Sequence, residues 1–467
     1  MKKSLLLAFA GLLFAGCTSK LDEKICLPPD VEKARTAMQA YKAYAESLWY
    51  QHYHKDEKKV PAYTLPAFKS KTAAEWEKIE RPRILELFKK YMYGMMPPAA
   101  DKTVIRLLAQ KNDALDGLAI RKEYRVYSIM NNGKSFNYDM MVYIPKHVRK
   151  PPIFVGLNFS GNQANTPELD VLMTRGMYMD YKRNRTFRPL RSRARRLESW
   201  NFKETVKRGY AVATACYWEI CPDYYTGLKL SPYTLFCDEK QMRLDHEIPM
   251  DEQKAGKCYR EISSIGAWAW GLSSMLTALE QEPLVDTGKA AVIGHSRLGK
   301  AALWAGACDP RFKVVISNNS GCGGAALSRR NFGETMEIGY WDQRVWYCGR
   351  VGAYVKNIDL LPVDQHMLLA LVAPRALYVA SASADLNADP KGEFLAAKEA
   401  SKIWNLYGFN GLANMDMPPC DKSVGDNVSY HIRTGKHAIT AADWSHYYNF
   451  ADRFFFGRKK SLAKKSK

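Results

Sequence analysis

The fold is decided by the stretch Ala290-Ala-Val-Ile-Gly-His-Ser-Arg-Leu-Gly-Lys300, in which a short apolar run leads into Gly294-His-Ser296 and then into a helical pattern. Small residues around Ser296 let the backbone turn sharply between a buried strand and a helix. A hydroxyl on such a turn lies beside a helix N-terminus, whose dipole favours developing negative charge. The usual spacing is G-x-S-x-G, whereas here Gly299 comes one residue later. The strand before the motif and the helix after it predict that Ser296 is a nucleophile.

Apolar strands and amphipathic helices alternate along most of the chain. Continuous apolar runs such as 152–158 and 210–215 are typical of parallel strands that are covered on both faces. Helices are expected over 198–208, 262–279 and 300–307, with strands between and after them. The pattern therefore predicts an α/β fold with a doubly wound, mostly parallel sheet, helices on both faces and a helical N-terminal extension.

The first residues carry an export signal. Met1-Lys-Lys3 is basic, and the apolar segment that follows it is too short to span a bilayer. The segment ends in Phe14-Ala-Gly-Cys17, which resembles a bacterial lipobox. We therefore expect residues 1–16 to be a lipoprotein signal peptide, Cys17 to be lipidated and residues 17–30 to be a tether. The predicted location is that of an exported bacterial lipoprotein, on the outer membrane or cell surface, with the periplasm as the alternative.

The remaining chain is predicted to be a single catalytic domain. The length of 467 residues and a hydrophobic content of 47% suffice for one large α/β domain. We assign residues 31–460 to it, with 31–100 as the helical extension, and residues 461–467 to a basic tail. Nine cysteines follow Cys17, and local pairs are conceivable between Cys216 and Cys221 or between Cys237 and Cys258. Without C-x-x-C or paired-histidine spacing, no metal site is expected.

The formal net charge is +21, which favours an anionic partner. No nucleic-acid-binding module is present, so nucleic acid is not an expected partner. A polysaccharide that contains uronic acid suits an exported protein better. Much of the charge lies in an arginine-rich segment over 183–196. This segment either steers uronates towards the protein or is simply a solvated loop, and the sequence leaves both readings open.

A serine nucleophile needs a base and an acid, and in α/β-hydrolases the chain order is nucleophile, acid, histidine. His437 lies in a glycine-containing loop before the last helix, where the base is expected. One usual place for the acid holds Asn319, whose amide cannot balance an imidazolium charge. Asp385 comes soonest after the next strand and is the predicted acid. Asp389 is expected to cap the helix that begins near Pro390, with Glu393 completing that turn.

Several motifs in register resemble the glucuronoyl esterases, carbohydrate esterase family 15. The resemblance covers roughly residues 151–456, and its motifs are Gly294-His-Ser-Arg-Leu-Gly-Lys300, Asn319-Ser-Gly-Cys-Gly-Gly324, Gly333-Glu-Thr335, Ala373-Pro-Arg375, Ala388-Asp-Pro-Lys-Gly-Glu-Phe394 and Gly435-Lys-His437. The resemblance implies an α/β-hydrolase fold and a serine triad with no metal or cofactor. It also implies cleavage of esters between 4-O-methyl-glucuronic acid on xylan and lignin alcohols.

The resemblance also assigns roles to single residues. Arg297, directly after Ser296, would stabilise the oxyanion, and Lys300 and Glu334 would bind the sugar hydroxyls. Two positions depart from the family pattern. A glutamate is replaced by Asn319, which moves the acid role to Asp385. A tryptophan of the substrate pocket is replaced by Asn387, which removes an apolar wall.

Three hypotheses follow. The first is a serine esterase that hydrolyses glucuronic acid esters of lignin and xylan through an acyl-enzyme. The second is an acetyl-xylan or feruloyl-type carbohydrate esterase, which the replacement by Asn387 favours. The third is a carbohydrate-binding lipoprotein whose catalysis has decayed, which Asn319 favours.

Overall fold

A computed structural model describes residues 39, 43–48, 53–180, 186–248 and 259–457. The predicted signal peptide, tether and basic tail lie outside the described residues. So do Cys17, Cys258 and the first part of the predicted helical extension. None of the helices in the described part of the chain combines the length and the hydropathy that a bilayer crossing requires.

A ten-stranded sheet forms the centre of the fold. The strands of the described residues, ten in this sheet and two in a separate hairpin, are β1 (Lys102–Ala114), β2 (Ala119–Ile129), β3 (Ser135–Pro145), β4 (Pro152–Asn158), β5 (Met177–Asp180), β6 (Thr186–Pro189), β7 (Ala211–Cys216), β8 (Asp286–His295), β9 (Phe312–Asn318), β10 (Ala376–Ala382), β11 (Ser423–Gly425) and β12 (Val428–Arg433). Their order in the sheet is β1-β2-β3-β7-β4-β8-β9-β10-β12-β11, and β5 pairs with β6 in a separate hairpin. The six strands from β7 to β12 in this order run parallel. The strands at the two edges are antiparallel.

Helices cover both faces of this sheet. The α-helices are α1 (Ala73–Glu75), α2 (Arg81–Phe88), α3 (Phe202–Lys207), α4 (Tyr217–Ile220), α5 (Tyr233–Phe236), α6 (Ser264–Leu279), α7 (Arg297–Cys308), α8 (Met336–Asp342), α9 (Gln365–Ala370), α10 (Pro390–Asn405) and α11 (Ala441–Phe455). Two π-helical segments, Trp76–Glu80 and Lys89–Tyr93, continue α1 and α2. Short 3-10 turns are found at Glu57–Lys59, Asn162–Ala164, Leu197–Ser199, Gly227–Leu230, Asp245–Glu247, Ser328–Arg330, Arg344–Trp346, Gly349–Ala353, Ile358–Leu360 and Leu386–Ala388.

Alternate side chains of the parallel strands pack into two apolar layers, one on each face of the sheet. On one face, Val155 and Val292 pack with α6, α7, α9 and α10 in the larger layer. On the other face, Phe154 and Ile293 pack with α3 and α11 in the smaller one. Because successive side chains of a strand point to opposite faces, these continuous apolar runs supply both layers at once. The predicted doubly wound sheet with helices on both faces is confirmed.

Most predicted elements are present, and some differ in their bounds. The strand predicted over 152–158 is β4, and the helix predicted over 262–279 is α6 from Ser264. The helix predicted over 198–208 is instead the 3-10 turn Leu197–Ser199 followed by α3. Of the predicted extension, residues 43–48 and the segment Ala73–Tyr93 are helical.

The two local disulfides considered from the sequence are absent from the described residues. Cys216, Cys221 and Cys237 are buried free thiols, and Cys258 lies outside the described residues. Cys216 and Cys221 flank α4. A helical rise of about 1.5 Å per residue separates such ends by about 7.5 Å, which is beyond the reach of a disulfide.

The turn that begins α10 holds a correct and an incorrect prediction. The Asp389 side chain accepts a hydrogen bond from the Gly392 N–H, so it caps α10 as expected. Glu393 does not complete this cap. Its carboxyl is fully buried and accepts from the Gly321 N–H at 2.9 Å and from the Ser381 hydroxyl at 2.5 Å. Burial raises the pKa of Glu393 to about 8.

We predict that Glu393→Gln changes how stability depends on pH. Native Glu393 keeps its proton up to about pH 8, whereas an unfolded glutamate releases it near 4.5. Between these values the native state binds more protons, so the free energy of unfolding falls as pH rises. Glutamine cannot titrate, so the variant should gain stability relative to wild type between about pH 5 and about pH 8, as measured by urea unfolding.

The matched control is Glu86→Gln, at an exposed glutamate of α2, which should follow the wild-type pH dependence. Parallel pH profiles for wild type and Glu393→Gln would contradict the assignment of a buried, proton-binding carboxyl.

Candidate active site

Ser296 sits on a strained turn between β8 and α7. Its φ of 58° and ψ of −131° lie in a region that non-glycine residues rarely adopt. A Cβ on Gly294 would come within 1.9 Å of the Leu298 carbonyl oxygen, so only glycine fits there. At Gly299 a Cβ would meet the Ser320 Cβ at 3.0 Å. Gly299, although one residue later than in the usual motif, therefore still allows α7 to pack closely against the loop after β9.

The two predicted partners of Ser296 follow neighbouring strands at the same edge of the sheet. Asp385 comes after β10 and His437 comes after β12, which pair in parallel. The Nδ1 of His437 lies 2.5 Å from the Oδ2 of Asp385. Burial raises the pKa of Asp385, but the hydrogen bonds from His437 and Asn319 outweigh it and hold that pKa below its ordinary value. A carboxylate in this position fixes the Nδ1–H tautomer of His437 and leaves Nε2 to act as a base.

Asn319 makes a contact with Asp385 that the sequence does not reveal. It follows β9, between the strands that carry Ser296 and Asp385, and its φ is 46°. Its Nδ2 donates to the Oδ2 of Asp385 at 2.7 Å, the same oxygen that His437 contacts. Asn319 thus occupies the alternative acid position and donates to Asp385, the predicted acid.

Arg297 is held by an acidic residue that sequence reasoning missed. Its guanidinium forms an ion pair with Asp223 and stacks over the Trp346 ring at 4.4 Å. The Trp346 Nε1–H donates to the other Asp223 oxygen at 2.8 Å. A guanidinium has five donors, so this arrangement is compatible with a further contact to a substrate oxygen. Asp223 lies 74 residues before Arg297, and no local motif signals this pairing.

Lys300 is buried and Glu334 is half-buried, and the two opposite charges act on each other electrostatically beside Arg297. The Lys300 ammonium donates to the carbonyls of Ser320 at 2.6 Å and Cys322 at 2.5 Å. Burial lowers the pKa of Lys300, and Glu334 opposes that shift. Burial also raises the pKa of Glu334, and Lys300 opposes it.

Asn387, the other predicted substrate-binding residue, is exposed. Its amide oxygen accepts a hydrogen bond from the Tyr53 hydroxyl. The N-terminal segment also contacts the neighbouring loop that carries Glu334, because the His54 carbonyl accepts from the Gly333 N–H at 2.9 Å. That loop in turn contacts Asn387, whose carbonyl accepts from the Glu334 N–H at 3.0 Å. The N-terminal extension therefore adjoins the place where the family pattern has a tryptophan.

A cavity of about 600 Å³ opens beside Ser296, within the size range of ligand sites. It is lined by Leu157, Asn158, Phe159, Ser160, Asn165, Ala194, Arg195, Arg196, Leu197, Glu198, Ser199, Trp200, Ile293, Gly294, His295, Ser296, Arg297, His437, Ala438, Ile439 and Trp444. Of the predicted site residues, Ser296, Arg297 and His437 belong to this lining, whereas Asp385, Lys300, Glu334 and Asn387 do not. In the part of the chain that the structure describes, no group of three or more His, Cys, Asp or Glu side chains is arranged to hold a metal ion.

A second buried carboxylate holds the loop that carries His437. Asp443, in the first turn of α11, accepts from the Arg433 Nε–H at 2.9 Å. The Arg433 guanidinium donates in turn to the carbonyls of Thr434 at 2.8 Å, Lys436 at 2.9 Å and Ala438 at 3.2 Å. Three carbonyls around His437 thus converge on one cation. The sequence signals only part of this arrangement, because Thr440 and Asp443 have the spacing of a capping box.

These features define a class of protein. A serine lies on a strained strand-to-helix turn, and a histidine is hydrogen-bonded to a buried carboxylate. The three residues follow the chain order Ser, Asp, His on a mostly parallel sheet. This combination is typical of a serine hydrolase of the α/β-hydrolase fold.

Comparison with known proteins identifies the family within this class of serine hydrolases. The family model for glucuronyl esterases of fungi matches residues 255–408. A carbohydrate esterase from an unknown prokaryotic organism is 37% identical over 419 residues, which cover 86% of this chain and 92% of that protein. A solved glucuronoyl esterase from Solibacter usitatus has a TM-score of 0.75 and 36% identity, over 85% of this chain and 99% of that chain. A 4-O-methyl-glucuronoyl methylesterase of Hypocrea jecorina is 32% identical over 211 residues, 42% of each protein. The chain belongs to carbohydrate esterase family 15, the glucuronoyl esterases, and is a carboxylic ester hydrolase.

We predict that Arg433→Met destabilises the protein by about 3 to 5 kcal/mol, because removing one partner leaves the buried Asp443 carboxylate without its cation. Urea unfolding monitored by tryptophan fluorescence measures this loss. Activity should fall as well, because the loop around His437 loses the donor that its carbonyls share.

The double variant Arg433→Met with Asp443→Asn should recover part of the lost stability, since the uncompensated charge is then gone while the cap of α11 is kept. A wild-type unfolding midpoint for Arg433→Met would contradict the proposed ion pair.

Proposed function

We propose that this protein hydrolyses esters of glucuronic acid or 4-O-methyl-glucuronic acid, of the kind that link xylan to lignin, through a covalent acyl-enzyme on Ser296. The observation that carries the proposal is the contact of 2.5 Å between His437 and Asp385 beside a cavity lined by Ser296. The relatives act on glucuronoyl esters by their names, which supports the choice of acyl group.

In the first half of the reaction, the Ser296 oxygen attacks the ester carbonyl carbon while its proton moves to the Nε2 of His437. Asp385 stabilises the imidazolium that results. Arg297 and the first N–H groups of α7 stabilise the oxyanion. His437 then gives the proton to the alcohol oxygen as the carbon–oxygen bond breaks, and the alcohol leaves. Water attacks the acyl-enzyme by the same steps and releases the free uronate.

Lys300 and Glu334 are proposed to bind the sugar. Lys300 is buried, Glu334 is half-buried, and each acts electrostatically on the other and on Arg297. A fixed pair of opposite charges offers a donor and an acceptor for neighbouring sugar hydroxyls. The Lys300 contacts with two carbonyls of the loop after β9 keep the ammonium in place.

A second candidate is an acetyl-xylan or feruloyl-type esterase on the same triad. Asn387 favours it, because an exposed amide replaces an apolar wall of the substrate pocket. The third hypothesis, a decayed binding protein, rested on Asn319. The hydrogen bond from Asn319 to Asp385 weakens that argument, since the amide supports an intact acid.

The partner is proposed to be a uronic-acid-containing polysaccharide, and Arg195 and Arg196 on the cavity wall supply positive charge that would attract it. We also infer that Cys17 is lipidated and that the enzyme is anchored to the outer membrane or cell surface. The support for this anchor is the sequence Phe14-Ala-Gly-Cys17 after a short apolar segment.

We predict that the purified protein releases benzyl alcohol from benzyl glucuronate, and that Ser296→Ala lowers kcat by about a million-fold because the nucleophile is gone. Parallel assays on acetylated xylan and feruloylated xylan rank the candidates. Faster turnover of the acetyl or feruloyl ester than of the glucuronate ester would select the second candidate. Turnover of none of the three would contradict an esterase function.

The anchor is tested by expression of the full chain in a bacterium fed with labelled palmitate. Wild type should incorporate the label and fractionate with membranes, and Cys17→Ala should do neither. Cys26→Ala, at a cysteine near but outside the lipobox, is the matched control and should behave as wild type. Labelling of the Cys17→Ala variant would contradict the predicted lipidation site.

A further inference from the structure

We propose that His295 is a second catalytic histidine, whose Nε2 accepts a hydrogen bond from the water that hydrolyses the acyl-enzyme. The proposal rests on the function proposed above, because it concerns the second half of that reaction. It is carried by the position of the His295 ring, by the hydrogen bond on the opposite side of the ring and by the chemistry of the neighbouring groups.

The ring of His295 lies beside the reacting groups. His295 directly precedes Ser296 on the strained turn, and both line the cavity that His437 also lines. The ring centroids of His295 and His437 are 4.5 Å apart, with the ring planes inclined by 42°. A molecule that reaches the Nε2 of His437 is therefore also close to the His295 ring.

The partners of Asn318 determine which His295 nitrogen carries the proton. The Asn318 Nδ2 donates to the Tyr447 hydroxyl at 2.7 Å and faces the Asp443 carboxylate at 3.4 Å. The Oδ1 of Asn318 then faces the Nδ1 of His295, at 2.6 Å. An amide oxygen only accepts, so His295 must donate from Nδ1 and keep a lone pair on Nε2. Among the described residues, no group donates to that Nε2.

His295 and His437 differ in the hydrogen-bond partner of their Nδ1 atoms. His437 is backed by the Asp385 carboxylate, which stabilises a positive imidazolium, whereas His295 is backed by a neutral amide. Burial and the proximity of His437 lower the pKa of His295 to about 4. His295 is therefore neutral when the enzyme works near neutral pH, so it accepts a hydrogen bond and does not serve as the base.

The Nε2 of His295, as a second hydrogen-bond acceptor beside the Nε2 of His437, favours water over an alcohol as the attacking molecule. Water has two protons, whereas an alcohol has one. In deacylation the water oxygen attacks the acyl carbon and one water proton moves to the Nε2 of His437, while the other O–H points to the Nε2 of His295. The bond between the acyl carbon and the Ser296 oxygen then breaks, and His437 returns its proton to that oxygen. An attacking alcohol gives its one proton to His437 and makes no use of His295.

The experiment measures how the acyl-enzyme partitions between water and methanol. Benzyl glucuronate is turned over in a water–methanol mixture, and the ratio of methyl glucuronate to free glucuronate is determined by chromatography. The key variant is His295→Asn, whose amide can still donate to Asn318 but has no atom at the position of Nε2. Its ratio should rise about three- to ten-fold over wild type, the loss expected for one hydrogen bond.

The ratio is a property of the acyl-enzyme and does not depend on the fraction of folded protein. His295→Gln, which can place an amide oxygen near the position of Nε2, should return the ratio towards wild type. His147→Leu, at an exposed histidine far along the chain from the site, is the control for a general effect of losing a histidine. A wild-type ratio in His295→Asn, whatever its overall rate, would overturn the inference and leave His295 only a packing role. A wild type that leaves benzyl glucuronate intact would overturn the proposed function first, and this inference with it.

Discussion

The contact between Asp385 and His437 is the constraint on which the active site depends. A carboxylate stabilises an imidazolium strongly only where water is largely excluded, and burying that carboxylate is costly unless it is hydrogen-bonded. The protein meets both requirements with Asp385, which is 7% exposed and receives hydrogen bonds from His437 and Asn319. The parallel pairing of β10 with β12 brings the two residues together, because both follow the carboxyl ends of adjacent strands.

A second buried carboxylate maintains the surroundings of the first. Asp443 holds Arg433, which gathers the carbonyls around His437, and it faces Asn318, which fixes the proton position on His295. The Nδ1 atoms of His437 and His295 thus each form a hydrogen bond with a side chain at the end of a neighbouring strand, Asp385 and Asn318 respectively. The difference between the two partners, a carboxylate and an amide, gives the two imidazoles different chemistry within one cavity.

The sequence was sufficient for the features that local patterns encode. The apolar run of β4 and the glycines around Ser296 predicted the sheet and the strained turn, since they reflect strand burial and steric exclusion. The position of Asp385 after its strand predicted the contact with His437. Asp223 and Arg433 were missed as supports, because their partners lie on other loops and only the folded chain brings them together. Glu393 was assigned to a helix cap because its spacing fits one, whereas the buried Gly321 N–H and Ser381 hydroxyl compete successfully for its carboxyl.

The central claim is that Asp385 is the acid that supports His437, and the kcat of Asp385→Asn on benzyl glucuronate tests it most directly. An asparagine keeps the shape but cannot balance the imidazolium, so kcat should fall about a thousand- to ten-thousand-fold while the unfolding midpoint shows a folded protein. A folded Asp385→Asn variant with a kcat close to that of wild type would contradict the account and require another acid.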